Sequence, residues 1–136
     1  MLIRLIYVST AVGPVTTSVT GTILRSAQAH NARNGITGVL CQGQGLYVQV
    51  LEGERSQVEA LYARILKDKR HDKVLRLQDE DIQGRRYGSW AMAHIDLVHA
   101  TASQPAFAPY TATADQVMAT MDELIASGKV MTAPVV

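Results

Sequence analysis

Apolar and polar positions along this chain fall into short extended runs separated by helical stripes. Leu2 to Ser9 is apolar and β-branched apart from Arg4, and predicts a first strand. Gly13 and Pro14 end it. Thr17 or Ser18 then caps a helix to about Ala29, with Val19, Ile23 and Ala27 on one stripe. That helix is rich in β-branched residues, so packing must hold it. Asn34-Gly35 turns the chain into a hairpin, Ile36 to Cys41 and Leu46 to Leu51, joined by Gly43, Gln44 and Gly45. Ser56 to Glu59 reads as a capping box opening a helix to about Lys67, striped by Val58, Leu61, Tyr62 and Ile65. After the charged connection Asp68 to Lys73, Val74 to Leu77 predicts a fourth strand. Ile82 to Tyr87 is a polar connection, and Trp90 to Leu97 predicts a fifth strand. Alternation puts Trp90, Met92 and His94 on one face of that strand and Ala91, Ala93 and Ile95 on the other. Pro105 and Pro109 bracket an irregular link. A second capping box, Thr113 with Gln116, opens a helix carrying Val117, Met118, Met121, Leu124 and Ile125, stopped by Gly128.

The order βαββαββ predicts an α+β, ferredoxin-like sandwich with a five-stranded mixed sheet. Two helices cover one face, and a C-terminal helical cap covers the other. A length of 136 residues suits one core without staples. The net charge of +1, with charges interspersed, argues against a nucleic-acid or polybasic membrane surface. The one cysteine, Cys41, lies in an apolar strand and reads as a buried small hydrophobe. The opening MLIRLIYVS is too short an apolar run for a signal peptide, and no run is long enough to span a bilayer. A soluble cytoplasmic protein is the expectation.

Common catalytic signatures are missing, including GxSxG, the phosphate-binding loop, GxGxxG and HExxH. His30, His71, His94 and His99 are scattered, without metal-ligand spacing to Cys41. Glu52 and Glu54 stand next to a helix start, where the helix dipole accounts for them. Four features carry two readings each. Tyr7 is a core aromatic or a phenol facing a ligand. Gln49, the one polar side chain in the apolar run Leu46 to Leu51, is a structural amide or one that exchanges partners. Asn31 is a helix C-cap or an amide pointed at a ligand. Lys69, Arg70 and His71 are a solvated loop or a phosphate-binding cluster.

Five segments together resemble the BLUF domain family, blue-light sensors that bind FAD. They are RLIYVS at Arg4 to Ser9, HNARNGITG at His30 to Gly38, YVQVLEG at Tyr47 to Gly53, DKRH at Asp68 to His71 and RRYGSWAM at Arg85 to Met92. The resemblance covers about residues 1–97 as the photosensor, with 98–136 as a helical extension like that of short, stand-alone members. It implies bound FAD, with Tyr7 as photoactive phenol and Gln49 as its link to the ring. Asn31 and His30 would hold the ring's polar edge, and Ile23 would pack on the ring. Arg64, Asp68, Arg70 and His71 would lie along the ribityl and phosphate tail. Ser9, Trp90 and Met92 would transfer the signal. Cys41 and Lys69 depart from the family pattern, at an aromatic before the hairpin and at a common proline.

The implied mechanism is a small switch. Tyr7 gives an electron and then a proton to the light-excited ring. Gln49 meanwhile rotates or tautomerises, donates to the ring carbonyl and red-shifts its absorption. Met92 or Trp90 exchanges places in response. The output would be an effector protein in trans, since none is recognised in this chain, and the assembly a homo-oligomer. Two other classes compete. One is an acylphosphatase-like hydrolase using Asn31 and an arginine, whose glycine-rich loop is not found. The other is a ligand-binding or interaction domain without photochemistry, against which Tyr7 and Gln49 together argue.

Overall fold

The computed structural model describes residues 1–13, 17–43, 45–88, 90–96, 113–126 and 130–131. Its elements are β1 (Leu2–Ala11), α1 (Thr17–Asn34), β2 (Thr37–Gly43), β3 (Leu46–Glu54), α2 (Arg55–Leu66), β4 (His71–Asp81), β5 (Ala93–Asp96), α3 (Ala114–Ala126) and β6 (Val130–Met131). The sheet order is β4-β1-β3-β2-β5-β6. β1 lies antiparallel between β3 and β4, while β5 runs parallel to β2. This is the expected α+β sandwich with a mixed sheet. The two-residue β6 adds an edge beyond the five expected strands.

The core divides at the sheet. Ile3, Leu5, Tyr7, Leu40, Leu51 and Met92 face α1 and α2, meeting Val58 and Tyr62. Ile6, Val8, Val39, Cys41, Val48 and Val50 face the other way, meeting Val117, Met118, Met121 and Leu124 of α3. The C-terminal helix therefore covers the opposite face, as its stripe requires. Its Thr113–Gln116 capping box forms reciprocally, with Thr113 N–H donating to Gln116 Oε1 at 2.9 Å and Gln116 N–H to Thr113 Oγ1 at 3.1 Å.

Several expectations are corrected. α1 runs past Ala29 to Asn34, so Asn31 sits inside its last turns rather than capping it. The stop is Gly35 at φ 66°, with Ile36 N–H bonding back to Asn31 O at 3.0 Å. The Ser56–Glu59 capping box does not form. α2 begins two residues earlier than that box requires, at Arg55, and Glu54 precedes it with no side-chain cap. Arg55 is drawn there by its N–H bond to Met1 O and by its guanidinium on Asp79 and Asp81. The fourth strand is far longer than Val74 to Leu77 and takes in His71 from the charged connection. The fifth begins only at Ala93, so alternation does not reach back to Trp90. Met92 lies on the α1/α2 face, whereas Trp90 packs with the α3 core and stacks on Tyr87, 6.3 Å between centroids. Leu97, Gln44, the Pro105–Pro109 link and Gly128 lie outside the described residues, as do the side chains of Thr17, Ser18 and Val19.

Glu52 is also corrected. It is wholly buried and serves no helix dipole. Its carboxylate accepts from the Arg4 guanidinium at 2.9 Å and from the backbone N–H groups of Arg86 and Tyr87 at 3.0 and 2.7 Å. It thus anchors the loop after β4 to the central strand, a paired buried charge with its lone pairs satisfied.

Candidate functional site

A cavity of about 260 Å³ opens between α1 and α2 above the sheet. The strand pairing builds its floor. Tyr7 of β1 stands directly opposite Gln49 of β3, and Gln49 opposite Leu40 of β2, so all three side chains share the face beneath the helices. β2 lies close to β3 because residue 38 is glycine: a Cβ there would fall 1.8 Å from Val50 O. α1 contributes Ile23, Ala27, His30 and Asn31; α2 and the turn after it contribute Leu61, Arg64, Ile65, Lys67, Asp68 and Arg70.

The floor is a hydrogen-bond chain. Tyr7 Oη donates to Gln49 Oε1 at 2.5 Å, and Gln49 Nε2 donates to Met92 Sδ at 3.5 Å. Burial, with Asp68 adding to it, pushes the Tyr7 phenol well above its ordinary range and keeps it protonated. Sulfur is a weak acceptor, so the amide is held firmly at its oxygen and loosely at its nitrogen. At the edge, Asn31 Nδ2 donates to Ala91 O at 3.0 Å, and His30 Nδ1 lies 3.4 Å from Asn31 Oδ1.

His71 stands edge-on to both Tyr7 and Tyr47. Its ring nitrogens lie 2.6 Å from Ser9 Oγ and 2.7 Å from Ile65 O. The Ile65 carbonyl can only accept, so Nε2 carries a proton. At the mouth, Arg70 forms a fork with Asp68, which lowers the Asp68 carboxyl below its ordinary value. Arg64, Lys67 and Arg70 leave the mouth cationic despite Asp68.

Nine of the residues singled out from the sequence therefore line one cavity: Tyr7, Ile23, His30, Asn31, Gln49, Arg64, Asp68, Arg70 and His71. Ser9 joins it through His71, Met92 through Gln49, and Trp90 lies away from it. The sequence reading passed over Leu40, Tyr47 and Lys67. Tyr47 was findable, since it stands two residues before Gln49 in the same strand and so shares its face. Apolar walls, an amide-bearing edge and a cationic mouth suit a flat heteroaromatic ring with a phosphate tail, the chemistry of a flavin nucleotide.

The family described as BLUF, sensors of blue-light using FAD, matches residues 2–93. The photoactivated adenylate cyclase subunit alpha-like protein FB of Euglena gracilis is 43% identical over 88 residues, 65% of this chain and 9% of that protein. The chain thus spans about a tenth of this curated relative. Among solved structures, BlrB, a BLUF protein in its dark state, superposes with a TM-score of 0.81 at 28% identity, covering 93% of this chain and 96% of that one. A bacterial light-regulated adenylyl cyclase matches with a TM-score of 0.72 at 32% identity, over 94% of this chain and 35% of that one.

Proposed function

Because the chain belongs to the BLUF family of blue-light sensors using FAD, we propose that its cavity holds FAD and that Tyr7, Gln49 and Met92 form its light switch. The observation carrying this reading is the buried chain from the Tyr7 phenol through the Gln49 amide to the Met92 sulfur. When bound, the ring supplies blue-light absorption and, once excited, a strong one-electron oxidant. Ile23, Ala27 and Leu40 wall the ring, Asn31 and His30 hold its polar edge, and Arg64 and Arg70 hold the tail beside His71, whose ring nitrogens are engaged by Ser9 and Ile65. Tyr7 is the electron and proton donor, and its burial keeps the proton in place until the electron has left.

Losing that proton removes the donor that holds Gln49 Oε1. The amide then turns, because its other tie is only a sulfur contact. A turned amide presents an oxygen to Met92, which sulfur cannot satisfy, so Met92 shifts. This local exchange biases a two-state element. Sensing without catalysis, an effector in a separate chain, a homo-oligomeric assembly and a cytoplasmic setting complete the reading. A hydrolase is not favoured, since the glycine-rich phosphate loop that such an enzyme needs is not found in the sequence.

The test is an absorption spectrum of the purified protein reconstituted with FAD. It should show flavin bands that shift reversibly to the red under blue light, and Tyr7→Phe should keep the flavin and lose the shift. A protein that takes up no flavin overturns the reading.

A further inference from the structure

We propose that Gln28 is a positioning residue of this switch, forming with Asn31 an amide clamp that holds the segment 90–92 beneath Gln49. Three successive carbonyls there each accept one hydrogen bond from the α1–β2 side. Trp90 O accepts from Gly38 N–H at 3.1 Å, Ala91 O from Asn31 Nδ2 at 3.0 Å, and Met92 O from Gln28 Nε2 at 3.2 Å. The segment lies ahead of β5, which starts at Ala93, and a strand ladder does not supply the donors to its Ala91 and Met92 carbonyls. Two side-chain amides three residues apart on one face of α1 do so instead.

The two amides divide the work. Asn31 lines the cavity, and Gln28 does not. Gln28 therefore acts on Met92 and not on the ligand. The Met92 side chain is wholly buried, and its thioether is long and adaptable. With its carbonyl held, Met92 answers a turn of Gln49 through its own side-chain torsions. With its carbonyl released, backbone and side chain move together and the sulfur loses its place at Gln49 Nε2. The Trp90 end stays tied through a backbone bond that no side-chain substitution removes, so the effect is confined to Met92.

The switching part of this inference rests on the function proposed above, and the experiment separates the two. Met methyl groups are labelled with carbon-13 in the full chain, and the Met92 resonance is assigned by its loss in Met92→Leu. In flavin-free protein, Gln28→Ala should move the Met92 resonance and leave Met118 and Met121 unmoved. Alanine is the strongest helix former, and Gln28 is partly exposed, so α1 survives the change. Gln28→Lys keeps a long N–H donor and should restore the wild-type resonance. In the FAD-loaded protein, Gln28→Ala should lengthen dark recovery roughly fivefold, the loss of one hydrogen bond to the arrangement seen here. Gln28→Lys should stay within about twofold on the same scale. An unmoved Met92 resonance in Gln28→Ala, or a lysine variant that behaves like alanine, overturns the clamp. If the wild-type protein shows no red shift, the light-sensing reading fails, while the flavin-free spectra still decide the clamp.

Discussion

Gln49 sits between a strong partner and a weak one, and that inequality decides what one residue can do. Its oxygen takes a 2.5 Å bond from a phenol, and its nitrogen reaches only a sulfur at 3.5 Å. The pairing follows from register, since Tyr7 and Gln49 face each other across β1 and β3. Leucine at position 49 matches the volume and makes no hydrogen bonds. It leaves the Tyr7 phenol buried without its acceptor, at a cost of about 1–3 kcal/mol. Gln49→Leu should fold, bind flavin and lose the stable red-shifted state, because no amide remains to donate to the ring carbonyl. Infrared difference spectra of that carbonyl read this directly; a full light-induced downshift in the variant would place the switch elsewhere.

At the scale of elements, the loop after β4 ties the central strand to α3. Glu52 holds its backbone, Tyr87 Oη donates to Asp122 Oδ1 of α3 at 2.9 Å, and the Arg86 guanidinium takes the other carboxylate oxygen. Trp90 stacks on the same Tyr87 ring. A movement at 90–92 thus meets α3 through one aromatic pair and one carboxylate. Tyr87→Phe keeps the ring and removes the bond, so it should destabilise the protein by about 1 kcal/mol. The melting temperature should fall by roughly 4 °C. Amide exchange should quicken in α3 and stay unchanged in α2, with the flavin red shift intact. Equal exchange in α3 before and after the substitution would show that this tie does not hold the helix.

For the molecule as a whole, three phenols respond to alkali with the same sign. Burial raises the affinity of Tyr7, Tyr47 and Tyr87 for their protons, and the Asp122 carboxylate adds to this at Tyr87. A phenol that binds its proton more tightly when folded contributes stability that is complete below its unfolded value of about 10. That contribution is lost as pH rises above it. Cys41, pushed up by burial in the opposite layer, acts in the same direction. The melting temperature should therefore fall above about pH 10, and tyrosinate absorbance should rise together with loss of circular dichroism. Full ionisation of these phenols with the fold intact would contradict the burial argument.

Much of this was legible from neighbouring residues alone. The hairpin glycines, the lone amide in β3, the Thr113–Gln116 box and the apolar stripe of α3 are signals contained within a few positions, and each formed as written. The βαββαβ order then brought Tyr7, Asn31, Gln49 and His71 to one cavity. Where the structure departs from the sequence reading, the deciding partner is far away in the chain. β4 extends to 11 residues because β1 offers it a ladder, although its own charges read as a loop. Glu52 is buried because Arg4 and the loop at Arg86 and Tyr87 converge on it across the sheet. Trp90 and Met92 part company because carbonyl anchors from α1 and β2, not strand alternation, orient the segment between them. Hydrophobic period and turn chemistry act locally and are written in the sequence; the pairing of buried polar groups depends on which distant strands and helices the core brings into contact.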